Sequence, residues 1–134
     1  MASDCKYRTV MIIDDTYIDR YVIERVMKRN TFAEEILSME SAIDAIKYLS
    51  DHIDEPEKLP QLIFLDINMP EMNGFEFLEN YKNLPEHLRK NCIVMMLTTS
   101  LHDEDRQKAN QNPYVYMFLN KPLTIDKLRT IDFE

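Results

Sequence analysis

Three aspartates, Asp14, Asp15 and Asp66, one threonine, Thr98, and one lysine, Lys121, stand at or just past the ends of short apolar runs in a chain of 134 residues. Taken singly, an aspartate after a strand is more often ordinary loop than a functional group. As an ordered set they bring three carboxylates, a hydroxyl and an amine to one rim, provided that the runs lie side by side in one doubly wound sheet. Carboxylates about 4–5 Å apart repel by roughly 3–4 kcal/mol per pair at an effective dielectric of 20. Such a rim requires positive charge. Lys121 supplies one unit, and a hard divalent cation taken by oxygen supplies the rest; Mg2+ suits one or two carboxylates plus waters and a substrate phosphate. None of these positions has a His or Cys beside it, which argues against zinc and softer metals. A carboxylate next to Mg2+ and a lysine can attack phosphorus and form an aspartyl phosphate, and Asp66, central in the set, is the expected nucleophile.

The elements that must position these residues follow from the apolar patterning. Residues 10–13, 62–65, 92–97 and 115–119 are continuous apolar runs rather than alternating ones, as expected of strands covered on both faces in a parallel sheet, and 36–39 suits an edge strand. Helical patterns lie between them. Thr16-x-x-Asp19 reads as a capping box before a stripe of Ile18, Val22 and Val26, with Tyr21 and Ile23 alongside. Ser41-x-x-Asp44 precedes Ala42, Ala45, Ile46 and Leu49 in the same way. A third helix is expected to start near Asn73-Gly74, bury Leu78 and Tyr81, and end before Pro85. A fourth, over 103–110, has only Ala109 and the preceding Leu101 to bury, so it is expected to open locally more easily than the others. The last starts after Pro122 and presents Ile125, Leu128 and Ile131. Five strands alternating with five helices predict an α/β domain, a doubly wound five-stranded parallel sheet with right-handed crossovers. In such sheets chemistry sits beyond the carboxyl ends of the strands, where strand order reverses.

Composition narrows the class. The length fits one domain, 1–134, with no room for an output domain. No run is long enough for a membrane span and the N-terminus lacks a signal-type apolar core, so the expected location is cytoplasmic. A formal charge of −8 disfavours nucleic acid and acidic membranes as direct partners. Cys5 and Cys92 are too few for a disulfide framework and read as reduced structural thiols. His52, His87 and His102 fall in polar surroundings and read as surface residues, and the acidic stretch 51–57 as a solvated loop.

Asp14-Asp15, Asp66-x-Asn68-Met69-Pro70-x-x-x-Gly74, Thr98 and Lys121-Pro122 together resemble the receiver domain of two-component response regulators, the stand-alone type typified by chemotaxis receivers. The resemblance spans nearly the whole chain and implies the flavodoxin-like strand order 2-1-3-4-5. It implies that Asp66 takes a phosphoryl group from the phosphohistidine of a sensor histidine kinase or a histidine-phosphotransfer protein. It further implies that Asp15, Asp66 and the backbone carbonyl of Asn68 hold Mg2+, with Asp14 assisting through water. Lys121 would pair with the phosphoryl oxygens, Thr98 would donate its hydroxyl, and Phe118 would occupy the aromatic switch position. The Lys121-Pro122 bond is expected to be cis. The partner that reads the switch is an unnamed downstream protein, and the reading surface is placed on the fourth helix, fifth strand and fifth helix. Apart from its own phosphorylation and dephosphorylation, the chain is expected not to be an enzyme.

The sequence departs from the family pattern at Thr99, where a small residue is usual, and at Asn110-Gln111-Asn112-Pro113, which replaces a small-residue turn and suggests that the fourth helix ends early. Asn68 and Ser100 occupy positions linked to phosphoryl lifetime. Of the rival readings, a calcium loop fails because Glu71 and Phe77 fall where Gly and Glu are needed. A haloacid-dehalogenase-type phosphatase wants Asp-x-Asp, which Asp14-Asp15-Thr16 does not supply. A phosphorylation-independent adaptor would not need the intact set.

Overall fold

The computed structural model describes residues 5–99 and 102–131, so Ser100 and Leu101 lie outside the described residues. Five parallel strands, β1 (Tyr7–Ile13), β2 (Ala33–Met39), β3 (Leu62–Leu65), β4 (Ile93–Thr98) and β5 (Val115–Asn120), form one sheet in the order β2-β1-β3-β4-β5. The helices are α1 (Tyr17–Arg29), α2 (Ala42–Asp51), α3 (Gly74–Tyr81), α4 (Glu86–Arg89), α5 (Asp103–Gln111) and α6 (Ile125–Arg129). The predicted strand order is observed. Among the described residues the expected five helices become six, because after α3 ends at Tyr81 a single further turn, α4, starts behind its N-cap Pro85 and buries only Leu88. An anchor of one leucine leaves no periodic pattern to read. A 3-10 turn at Pro56–Lys58 also interrupts the loop expected over 51–57.

Side-chain alternation along the strands divides the core in two. Met11, Ile13, Ile63 and Leu65 face α2 and α3 through Ala45, Leu49, Phe77 and Leu78, while Val10, Ile12, Leu62 and Phe64 face α1 and α6 through Ile23, Met27 and Leu128. A sheet covered on both faces explains why the central strands read as unbroken apolar runs.

Helix α1 departs from its expected face. The buried positions are Arg20, Ile23 and Met27, whereas Ile18 is 68% exposed and Val22 and Tyr21 are also exposed. Arg20 turns inward because the backbone carbonyl of Asp14 accepts a 2.7 Å hydrogen bond from its guanidinium, and this fixes which side of α1 meets the sheet. The expected capping box at Thr16 does not form. Instead the Thr16 amide donates to Asp14 Oδ1 at 2.9 Å, and the Asp19 carboxylate accepts from Lys121 Nζ at 2.8 Å. The Ser41 cap does form, with the Asp44 amide donating to its hydroxyl at 3.0 Å. A reciprocal box also joins Asn73 and Glu76 at the start of α3. Its Asn-x-x-Glu spacing was present in the sequence beside the expected helix start.

Among its described residues α5 buries only Ala109, as expected of a weakly anchored helix. It runs through Asn110 to Gln111, so the Asn-Gln-Asn-Pro segment does not cut it short; Asn112 caps it, and its side chain accepts from the Tyr114 amide.

Gly74, the one glycine of the chain, is fixed by close approach. Its amide donates to the Ile67 carbonyl at 2.8 Å, and a Cβ there would lie 2.5 Å from the backbone oxygen of Asp66. Both obstructing groups nearest to it are backbone. Gly74→Ala is therefore expected to destabilise the fold by about 1–3 kcal/mol, the usual cost of overpacking. Urea denaturation checks this, and a variant as stable as the parent would show that the loop can yield.

Candidate functional site

The register of the central strands decides which side chains meet. Ile13 pairs with Leu65, so the residues that follow them, Asp14 and Asp66, leave the sheet side by side. The Asp66 amide donates to the Ile13 carbonyl at 3.0 Å, and the Asp14 amide donates to the Met39 carbonyl at 3.1 Å. Each aspartate is thus held by the ladder that ends beneath it. On the other side β5 pairs with β4 through Thr98 and Asn120, and the Lys121 amide donates to the Thr98 carbonyl at 2.8 Å. The Lys121-Pro122 bond is cis, as expected.

Carboxylate oxygens of Asp14, Asp15 and Asp66 all lie within 4.8 Å of one another. Asp14 is buried to 1% exposure, Asp66 is buried, and Asp15 is exposed, so the cluster opens toward solvent on the Asp15 side. Lys121 enters from the sheet with its side chain only 9% exposed. Its Nζ lies 2.5 Å from Asp14 Oδ2, 2.8 Å from Asp19 Oδ2 and 3.6 Å from Asp66 Oδ2. Asp19 is the residue that the sequence reading misplaced. It lies in the first turn of α1, where its carboxylate accepts from Lys121 rather than closing a box with Thr16.

Of the other expected site residues, Thr98 is buried at the end of β4. Asn68 is exposed in the loop after β3, where its backbone amide, with that of Ile67, hydrogen-bonds to Asp66. Phe118 is half-buried on β5, its ring 5.7 Å from the Arg106 guanidinium on α5. Thr99 is exposed on a shallow groove shared with Asp19, Val22 and Lys121. His87 and His102 are exposed, while His52 is half-buried between Tyr48 and Glu55. Cys5 and Cys92 form no disulfide, and burial pushes the Cys92 thiol up to about 12, which keeps it unreactive.

Electrostatics act on Asp66 and Lys121. Burial is the largest influence on Asp66 and pushes its pKa up to about 6; Lys121 pulls it down, Asp14 raises it, and the backbone amides of Asn68 and Ile67 pull it down again. Burial opposes the charge on Lys121, but hydrogen bonds to Asp14 and Asp19 and the charge of Asp66 outweigh it and hold the ammonium above its usual value. One ammonium therefore faces three carboxylates, Asp14, Asp19 and Asp66, with Asp15 completing the acidic cluster beside them. The donor set is all oxygen, partly desolvated and net negative, which fits a hard divalent cation.

Because folding raises the Asp66 pKa from 3.8 to about 6, folded metal-free protein binds this proton where unfolded chain does not, and stability falls as pH rises through that window. Asp66→Asn has no such loss. It is expected to exceed the parent in stability at neutral pH by on the order of 1–2 kcal/mol, discounted for partial solvation, with the difference gone below about pH 4. Urea melts in EDTA across this range check it; equal stabilities at neutral pH would show that Asp66 is not strained.

Comparison with known proteins agrees with the geometry. The family model described as the response regulator receiver domain matches residues 10–131. A probable methanogenesis regulatory protein, FilR2 of Methanothrix harundinacea, is 32% identical over 92% of this chain and 78% of its own length. The crystal structure of a two-component response regulator from Cytophaga hutchinsonii superposes with a TM-score of 0.84 at 31% identity, covering 92% of each chain. A structure of the Mn2+-bound form of response regulator Rcp1 shares the fold, with a TM-score of 0.73 at 24% identity over 92% of this chain and 88% of that one. With its strand order, the acidic cluster at the strand ends and a family match over most of its length, the chain belongs to the receiver domains of two-component response regulators.

Proposed function

We propose that Asp66 is the phosphoryl acceptor of this receiver and that Mg2+ is its metal. The observation that carries this reading is the placement of the Asp66 carboxylate just past the carboxyl end of the central strand, inside the three-aspartate cluster and 3.6 Å from Lys121. A carboxylate with a pKa near 6 is mostly ionised at neutral pH and is poorly solvated, which suits a nucleophile. In the transfer an Asp66 oxygen attacks phosphorus, the new P–O bond forms as the P–N bond of a phosphohistidine breaks, and the imidazole leaves on its own protein. Lys121 stands within reach of the new phosphoryl oxygens, and Thr98, at the end of β4, supplies a hydroxyl donor. Asp15, Asp66 and the Asn68 carbonyl would hold Mg2+, with Asp14 assisting through water. When bound, the cation neutralises charge on the phosphoryl oxygens.

The donor is a sensor histidine kinase or a histidine-phosphotransfer protein, and the receiver acts on a downstream protein in the cytoplasm rather than on nucleic acid or a membrane. Its own phosphorylation and dephosphorylation are the only chemistry it performs. Phosphorylation works as a switch on energetic grounds. Reversing a 1:99 equilibrium needs about 5.5 kcal/mol, and two charge-assisted hydrogen bonds from Lys121 and Thr98, at roughly 1.5–3 kcal/mol each, approach that value. The responding elements are α5, anchored by Ala109 alone, then β5 through Phe118, and α6.

Incubation with Mg2+ and acetyl phosphate is expected to add the mass of one phosphoryl group to the parent and none to Asp66→Asn. Amide exchange in α5 is expected to slow in the modified protein. An unmodified parent, or a modification that survives Asp66→Asn, would support the adaptor reading or a different acceptor.

A further inference from the structure

Asp19 belongs to no part of the receiver pattern from which the site was read, yet it holds the residue on which the phosphoryl group depends. A lysine ammonium has three N–H donors. Lys121 stands at hydrogen-bond length from Asp14 Oδ2, at 2.5 Å, and Asp19 Oδ2, at 2.8 Å, but not from Asp66 Oδ2, at 3.6 Å. The ammonium is thus drawn to the α1 side of the site. Its two holders differ in what release would cost. Asp14 is buried to 1% exposure, its other oxygen takes the Thr16 amide and its carbonyl takes Arg20, so losing Lys121 would leave a buried charge without its partner. Asp19 lies in the first turn of α1 with its side chain 36% exposed, and water can take over its carboxylate.

We propose that Asp19 is a positioning residue that holds Lys121 back from Asp66 and competes with the phosphoryl group for it. This rests on Asp66 as the acceptor. In the unmodified state Asp19 keeps the ammonium turned toward α1; once a phosphoryl group is on Asp66, Lys121 keeps Asp14, releases Asp19 to solvent and moves within hydrogen-bond reach of a phosphoryl oxygen. Asp19 thereby weakens the phosphorylated state relative to the unmodified one, and it ties the state of the site to the first turn of α1, beside exposed Tyr17 and Ile18.

Beryllofluoride, a non-covalent phosphoryl mimic, tests this when its affinity is measured with Mg2+ saturating for each protein. Asp19→Asn is expected to bind it about five-fold more tightly than the parent, the factor matching the upper end of a partly exposed ion pair. Asp19→Glu, which restores the carboxylate, is expected to return to the parental affinity. Glu40→Gln removes a charge next to Arg20 without touching Lys121 and is expected to leave affinity unchanged. Parental or weaker binding by Asp19→Asn overturns the proposal, as does equal tightening by Asp19→Glu or Glu40→Gln. A parent that binds no beryllofluoride overturns Asp66 as acceptor and this proposal with it, whereas a parent that binds normally confines the failure to Asp19.

Discussion

The ammonium of Lys121 is the charge that lets neighbouring strand ends carry carboxylates side by side. Parallel pairing of β1 with β3 forces Asp14 and Asp66 together, and in a partly desolvated rim their repulsion would push the strand ends apart. Lys121 reaches across from the far side of the sheet, its amide pinned to Thr98 and its side chain lodged between Asp14 and Asp19. Of the three carboxylates that Lys121 contacts, Asp66 lies farthest from the ammonium, and burial is the largest influence on its ionisation. Under the proposed function, the shortfall of positive charge suits the site to a divalent cation and to attack on phosphorus.

The site is tied into the rest of the fold through its backbone as well as through Lys121. Asp66 follows a four-residue strand, and the start of α3 presses on its carbonyl through Gly74, where no side chain fits. Arg20 clamps the carbonyl of Asp14 and sets the rotation of α1. The acidic rim therefore rests on elements buried in the core, while α5 buries only Ala109 and meets β5 and α3 through Arg106 on Phe118 and Lys108 on Phe75. A rigid chemical centre beside a weakly anchored helix is what a switch requires, since a gain of a few kcal/mol at the centre is then enough to redistribute the neighbour.

Much of this was legible in the sequence because it follows from pattern. The continuous apolar runs gave the parallel sheet, and the ordered strand-end residues gave the site. What escaped the sequence depended on competition between partners. Ile18, Val22 and Val26 have a helical spacing as regular as Arg20, Ile23 and Met27, and only the carbonyl of Asp14 decides that the arginine goes inside. Asp19 had a plausible local role at a helix start, and a residue 102 positions away captured it. The turn of α4 rests on Leu88 alone, too little to leave a period.

The most direct test of the account is to identify the side chain that carries the phosphoryl group. Acyl phosphates are reduced by borohydride, so treatment of the phosphorylated protein followed by peptide mass mapping marks the modified residue permanently. The account predicts conversion of Asp66 to homoserine and no reduction at Asp14, Asp15 or Asp19. Reduction at any of those three, or at none of the four, would contradict it.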